Sequence, residues 1–399
     1  MKLHTHYSLL LFFLLIPVTL FSQVVPQVSG GENRGVQHIF VPLVAYTSDL
    51  GLVGGGVGQR IDYGEGVSPF RNSTEITLLA STKGLLSTRF SYDRTRTFGR
   101  DIRSGIDMKL GRFLNQNYFG LGNETRFEQK HWDDEAYFYE HRELRINYQV
   151  RIPLPGFHSG GQNRNDQEGV DYDPMRTRFE WLFLYEMVLN RPGSQGDGTL
   201  YEEEHPYGSG GGMVHSLGLG LLFEKRDSEF DPRKGVRYDF RFTAAPSFLG
   251  DYGYSRFSLN LRHYFPLLPA ITLANQVDVQ KSFGKPPFWD LPVIGSEDEL
   301  RGYPEFRFRG ESSWASNTEL RAWFYEIEEL QIKLGIHGFW DTGRVFQKGD
   351  TTTKLFSGLK HTGGFGGAAT LFSPDLIVRA DIGFSEDLYR IYFGIGYLF

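Results

Sequence analysis

Glu143-Leu144-Arg145-Ile146-Asn147-Tyr148-Gln149-Val150-Arg151-Ile152 alternates between polar and apolar side chains without a break. Successive side chains of a β-strand point to opposite faces, so Leu144, Ile146, Tyr148, Val150 and Ile152 share one face and Glu143, Arg145, Asn147, Gln149 and Arg151 the other. The pattern recurs at Gln331 to Asp341, where Ile332, Leu334, Ile336 and Trp340 oppose Gln331, Lys333, His337 and Asp341. It recurs from Val236 to Ala244, where Val236, Tyr238, Phe240, Phe242 and Ala244 oppose Arg237, Asp239, Arg241 and Thr243. A soluble sandwich alternates in the same way, with its apolar face in a shared core. Length separates the two readings: these segments run about ten residues or more, as a tilted transmembrane strand requires.

Composition points the same way. Aromatic residues make up 15% of the chain and 48 of 399 residues are Gly, yet the mean hydropathy is −0.35. A soluble globule does not combine these values, whereas a transmembrane β-barrel does, with one strand face in lipid, the other in water and aromatic girdles at both interfaces. There is no Cys, which excludes disulfides, thiolate metal sites and a lipidated cysteine. A net charge of −6 with scattered Lys and Arg argues against nucleic acid as a partner.

The first residues carry Lys2, His4 and His6, then an apolar run from Leu9 to Ile16, then Pro17 to Phe21 and the small Ser22. This is the layout of a secretory signal peptide, expected over 1–22. A short segment, 23–37, follows, and the barrel is expected over 38–399. Beyond the leader no apolar run reaches the length of a membrane-spanning helix.

Alternating segments fall at 38–46, 51–62, 72–82, 85–95, 101–113, 134–152, 176–191, 213–226, 235–247, 254–266, 270–282, 313–325, 331–344, 360–371, 376–385 and 389–399. The expectation is an all-β fold, a 16-stranded antiparallel transmembrane β-barrel using the whole mature chain. With both termini periplasmic, the long connections 114–133, 192–212, 283–312 and 345–359 lie outside, and short ones at Leu267 to Pro269, Tyr325 to Leu330 and Phe372 to Asp375 lie inside. The long stretch Pro153 to Met175 is the exception on the periplasmic side. The last segment sets Ile391, Phe393, Ile395, Tyr397 and Phe399 against Arg390, Tyr392, Gly394 and Gly396. Such a strand, closing on Tyr397 and Phe399, is what outer-membrane barrels present to their assembly machinery.

The connection after the eleventh strand holds Leu300-Arg301-Gly302-Tyr303. An arginine tucked back into a barrel needs an acidic partner on an inward strand position, because an unpaired charge in a confined lumen is costly. Asp341 is the first candidate, with Glu319 and Asp381 beside it. After that tetrapeptide come Arg307, Arg309 and Gly310, then Asn317-Thr318-Glu319-Leu320-Arg321. Arg226-Asp227 with Phe230-Asp231-Pro232-Arg233-Lys234-Gly235, and Phe339-Trp340-Asp341-Thr342-Gly343, complete an ordered set.

In this order the set resembles the BamA/TamA superfamily of bacterial surface antigen barrels, over about Arg226 to Phe399. The resemblance implies a sixth loop folded into the lumen, with Arg301 pairing with Asp341 of the thirteenth strand. It implies a bacterial outer-membrane location and work in protein insertion or translocation at the barrel wall, where a weak first-to-last strand seam opens. Gly54, Gly55, Gly56 and Gly58 in the second strand and Gly394 and Gly396 in the last could soften that seam; relief of curvature, or room for lumen aromatics, is the plainer role for strand glycines.

Assembly proteins of that family carry POTRA modules before the barrel, whereas only Gln23 to Gln37 precede the first strand here. The expectation is therefore a POTRA-less member assisting outer-membrane protein assembly or export with partners in trans. The alternative is a passive or plugged channel, or a scaffold barrel without a client. Expected partners are outer-membrane lipids and lipopolysaccharide, the barrel assembly machinery that takes this chain as its own client, and a periplasmic or outer-membrane protein.

No enzyme, metal or cofactor is expected. His337 and Asp341 share a face but read as a lumen charge network. Gly54 to Gly58 lacks the Lys-Ser/Thr ending and following helix of a phosphate loop. Glu202-Glu203-Glu204 with His205 reads as a solvated loop, and Asn72-Ser73-Thr74 as an uninformative match to a glycosylation pattern. His215 and Ser216 are adjacent and so point to opposite faces, which a nucleophile and its base cannot do.

Overall fold

The computed structural model describes residues 35–47, 50–64, 70–157, 177–196, 198–296, 298–327, 332–350, 354–370 and 377–399. The leader 1–22, nearly all of segment 23–37, most of the stretch 153–175 and the turn Phe372 to Asp375 lie outside the described residues.

Sixteen strands form one sheet: β1 Val36–Thr47, β2 Gly51–Asp62, β3 Asn72–Ser81, β4 Leu85–Arg94, β5 Arg103–Asn117, β6 Phe138–Pro153, β7 Arg178–Asn190, β8 Gly212–Arg226, β9 Gly235–Ala245, β10 Tyr254–Leu268, β11 Ile271–Gly284, β12 Ser312–Ile327, β13 Ile332–Phe346, β14 Lys360–Thr370, β15 Ile377–Phe384 and β16 Tyr389–Ile395. Each pairs antiparallel with its successor. The sheet curls until β1 and β16 come within 8 Å of each other, but no ladder joins them among the described residues. Among these residues the expected barrel is approached by its edges and not closed by backbone hydrogen bonds.

Burial runs inside out. On the apolar face Leu110, Phe183, Phe240, Phe242, Trp340 and Phe365 expose 41–62% of their surface, while on the polar face Glu143, Arg151, Glu180, Glu224, Asp239 and Glu319 are buried at 8% or less. Charges wall a narrow interior and large hydrophobics face out, the reverse of a sandwich and the arrangement that lipid demands.

Three boundaries differ from the sequence reading by four residues, each for a local reason. β5 runs past 113 to Asn117 because a bulge between Phe113 and Gln116 re-registers it on β6. β6 begins at Phe138, not 134, because Gln129–Asp133 form a helical turn ahead of it. The last segment, expected to run to 399, leaves the sheet at Ile395, since Gly396 takes φ +77°. Phe399 is then buried against Tyr264 and Ala274.

The connections after β5, β7, β9, β11 and β13 share one end of the sheet. There Tyr118, Tyr139, Tyr201, Tyr252, Phe288 and Trp289 pack into an aromatic cluster that roofs the polar interior. At the other end the turn after β8 reaches inward to β5 and β7. Asp227 accepts hydrogen bonds from the backbone N–H groups of Arg233 (2.9 Å) and Lys234 (3.1 Å), and Glu229 reaches Arg178 at 2.7 Å and Arg103 at 3.4 Å.

Candidate functional site

The 285–311 connection between β11 and β12 crosses the polar face. Its backbone is pinned by a two-residue ladder, Val293–Ile294 against Phe308–Arg309, and by Ile294, Leu300, Tyr303 and Phe308 packing with Ala315 of β12 and Val345 of β13. This apolar clasp fixes the tetrapeptide 300–303 above positions 319 and 341.

Arg301 is fully buried. Its Nε and Nη2 each donate to an Asp341 carboxylate oxygen at 2.8 Å, and its backbone N–H donates to the same carboxylate at 3.2 Å. Nη1 donates to Glu319. The guanidinium lies 3.5 Å from the centroid of the Phe339 ring, so the cation has carboxylates at its edge and a π-face beneath it. The ring needs space that Gly364 of β14 provides, since a Cβ there would meet its Cζ at 2.4 Å. Asp381 does not join this cage: its carboxylate takes His337 Nε2 at 2.7 Å and the Arg379 guanidinium. Its position two strands beyond β13 hands it to nearer partners on β13 and its own strand.

Gly302 sits at φ +111°, and a Cβ on it would lie 2.8–3.0 Å from backbone atoms of Phe384 and Gly383, while one on Gly383 would lie 2.7 Å from the Arg301 carbonyl carbon. The two glycines let the connection lie directly on β15. Tyr392 of β16 locks it there, its hydroxyl accepting from the Gly302 N–H at 2.8 Å and donating to the Tyr303 carbonyl at 3.2 Å. Ser385 Oγ donates to the Gly302 carbonyl at 3.0 Å. Further along, Arg307 meets Asp387 at 2.5 Å and Thr125 Oγ1 at 2.7 Å, tying three connections together.

Two carboxylates outside the strands are shifted in opposite senses. Burial, and next the nearby Asp298, push Glu299 up to about 8, against a 2.7 Å hydrogen bond from Ser296. Burial alone would raise Glu229 too, but the Arg103 and then the Arg178 guanidinium hold it well below the usual carboxylate range.

Arg321 continues the chain of charges, donating to Glu319 at 2.8 Å and to the Phe399 carbonyl at 2.8 Å, with the Tyr397 ring centroid 3.9 Å away. The closing residues Tyr397 and Phe399 therefore meet the Arg301 cage through Glu319. The sequence reading missed Phe339, Tyr392, Gly383 and Arg321 as members of this assembly; inward parity marked all four but not their height along the strands.

The remaining clusters meet ordinary hydrogen-bond partners. His215 Nδ1 lies 2.9 Å from the Tyr185 hydroxyl, while Ser216 is buried on the other face. Glu204 accepts from the Tyr118 hydroxyl at 2.7 Å. Among the described residues no group of three His, Asp or Glu is placed to hold a metal.

The family profile described as "Omp85 superfamily domain" matches residues 100–399. The chain belongs to the Omp85 superfamily. This membership makes it a bacterial outer-membrane β-barrel. Solved Omp85 structures share its fold: BamA from Haemophilus ducreyi lacking POTRA domains 1-3 (TM-score 0.55, 13% identity, 92% of this chain and 70% of that one) and CdiB from Escherichia coli (0.57, 12%, 91% and 63%). CdiB from Acinetobacter baumannii aligns with a TM-score of 0.50 at 11% identity, over 90% of this chain and 65% of its own. This Omp85 chain thus spans 63–70% of the length of these structures. A search of curated protein sequences finds no match.

Proposed function

We propose that this Omp85 barrel inserts or translocates other chains at the outer membrane, with accessory proteins acting in trans. The seam carries the reading. Every other neighbouring strand pair is laddered, yet twelve-residue β1 and seven-residue β16 meet without one among the described residues. An edge strand offers its backbone donors and acceptors to an incoming strand, which is how β-augmentation templates a client.

The lumen connection supports a protein-handling barrel over an open pore. With Arg301 held between Glu319 and Asp341, the 285–311 segment blocks the route that a sixteen-stranded wall would otherwise leave for solutes. We assign Leu300, Arg301, Gly302 and Tyr303 as the pin of this plug, Asp341 and Glu319 as its socket, and Tyr397 and Phe399 as the closing signal read by the assembly machinery when this chain is itself folded. No catalytic step is part of the reading.

Proteoliposomes containing the purified protein should speed the folding of a urea-unfolded small barrel, followed by heat-modifiable gel mobility, at least several-fold over liposomes holding an unrelated barrel of equal mass. Equal rates in the two would remove the insertion reading and leave a plugged scaffold.

A further inference from the structure

Outside the lumen, the apolar face of β5, β6 and β7 is layered. Leu110 faces Leu144 and Leu144 faces Leu189 across the ladders, forming one row. Directly above it, toward the end of the long connections, Arg112 faces Arg142. Arg191, the first residue after β7, continues that register, its N–H donating to the Arg142 carbonyl at 2.8 Å. Below the leucines come Met108, Ile146 and Met187, then Ile106, Tyr148 and Tyr185. The band ends near Trp181, opposite Ile152. From Arg142 to Ile152 the strand climbs about 33 Å, or about 25 Å along the membrane normal at the tilt of such strands, the height of a lipid-facing band. The three arginines therefore lie at the outer headgroup level.

Like charges set opposite each other in a ladder repel. Glu140 relieves part of this, accepting from Arg112 Nε at 2.6 Å and from Arg142 at 2.8 and 2.9 Å. One carboxylate serves two guanidiniums, and Arg191 has no ion pair among the described residues. The Arg112 and Arg142 side chains remain 53% and 55% exposed. An outward, under-neutralised arginine row seated on a leucine row is complementary to a phosphorylated headgroup whose acyl chains run down the apolar band. We propose that Arg112, Arg142 and Arg191 form a binding site for the phosphate groups of the phosphorylated glycolipid of the outer leaflet, with Leu110, Leu144 and Leu189 receiving its acyl chains.

The purified full chain in detergent, titrated with diphosphorylated lipid A and read by native mass spectrometry, tests this. Wild type should bind diphosphorylated lipid A at least 10-fold more tightly than fully dephosphorylated lipid A or phosphatidylglycerol. The triple variant R112Q/R142Q/R191Q, checked for folding by heat-modifiable mobility, should lose about 10- to 100-fold for the diphosphorylated form. E140Q frees two guanidiniums and should bind as tightly as wild type or tighter. Should the triple fail to fold, R191Q alone, which breaks no ion pair, should still lose several-fold. Equal binding by wild type and a folded triple or R191Q variant, or indifference of wild type to phosphate, would overturn the site, as would phosphatidylglycerol binding as well as diphosphorylated lipid A.

Discussion

A guanidinium as deeply buried as that of Arg301 persists only where its partners repay lost hydration, and removing one partner of such a pair costs about 3–5 kcal/mol. Arg301→Ala and Asp341→Ala should each lower the temperature at which the protein loses heat-modifiable mobility, and the double variant should lose less than their sum. Strict additivity would refute the contact. The pairing with Asp341 and Glu319 could be read from the sequence because parity places both carboxylates inward; Asp381 is equally inward, but parity carries no information on which cation lies nearer. The pH responses have opposite signs. Between the ordinary carboxylate range and about 8 the folded protein keeps a Glu299 proton that the unfolded chain has released, so stability falls as pH rises through this window. Glu299→Gln should thus be near neutral at pH about 4 and stabilising at pH about 9, by thermal melts. Glu229, depressed by Arg103 and Arg178, stabilises above the ordinary carboxylate value and loses this as pH falls through its folded pKa. Glu229→Gln should destabilise at neutral pH, with the difference shrinking in acid; a constant difference would contradict the ion pairs.

At the scale of single strands, alternation located all sixteen because each has one lipid-facing and one lumen-facing side, so the period-two signal is not diluted by a two-sided core. Ends were less legible, since bulges and left-handed residues depend on what the neighbouring strand offers. Gly396 decides where β16 ends: at φ +77° it turns Phe399 away from the lipid face. Gly396→Ala should cost about 1 kcal/mol through backbone strain and weaken the Arg321 contact to the Phe399 carbonyl. The check is hydrogen exchange of β12 amides near Arg321, which should quicken in the variant and stay slow if the terminus is not held there. β15 makes a similar demand, since Gly383→Ala has no room beneath the Arg301 carbonyl carbon and should unseat the connection while leaving the sheet ladders intact.

For the molecule as a whole, the inside-out burial was visible early because aromatic content and polar hydropathy conflict in any soluble fold. The weak seam was implied only by the family resemblance, since no residue type encodes an unmade backbone pair between strands at opposite ends of the chain. On the proposed reading the wall is lipid-facing with one weak joint, and the lumen is stopped by the connection that Arg301 pins to Asp341 and Glu319. Planar-bilayer conductance tests this central claim most directly. Wild type should give small, flickering currents, and Arg301→Ala should give larger and longer openings as the connection loosens. Large, steady openings in wild type, unchanged by Arg301→Ala, would mean that the 285–311 segment does not stop the lumen.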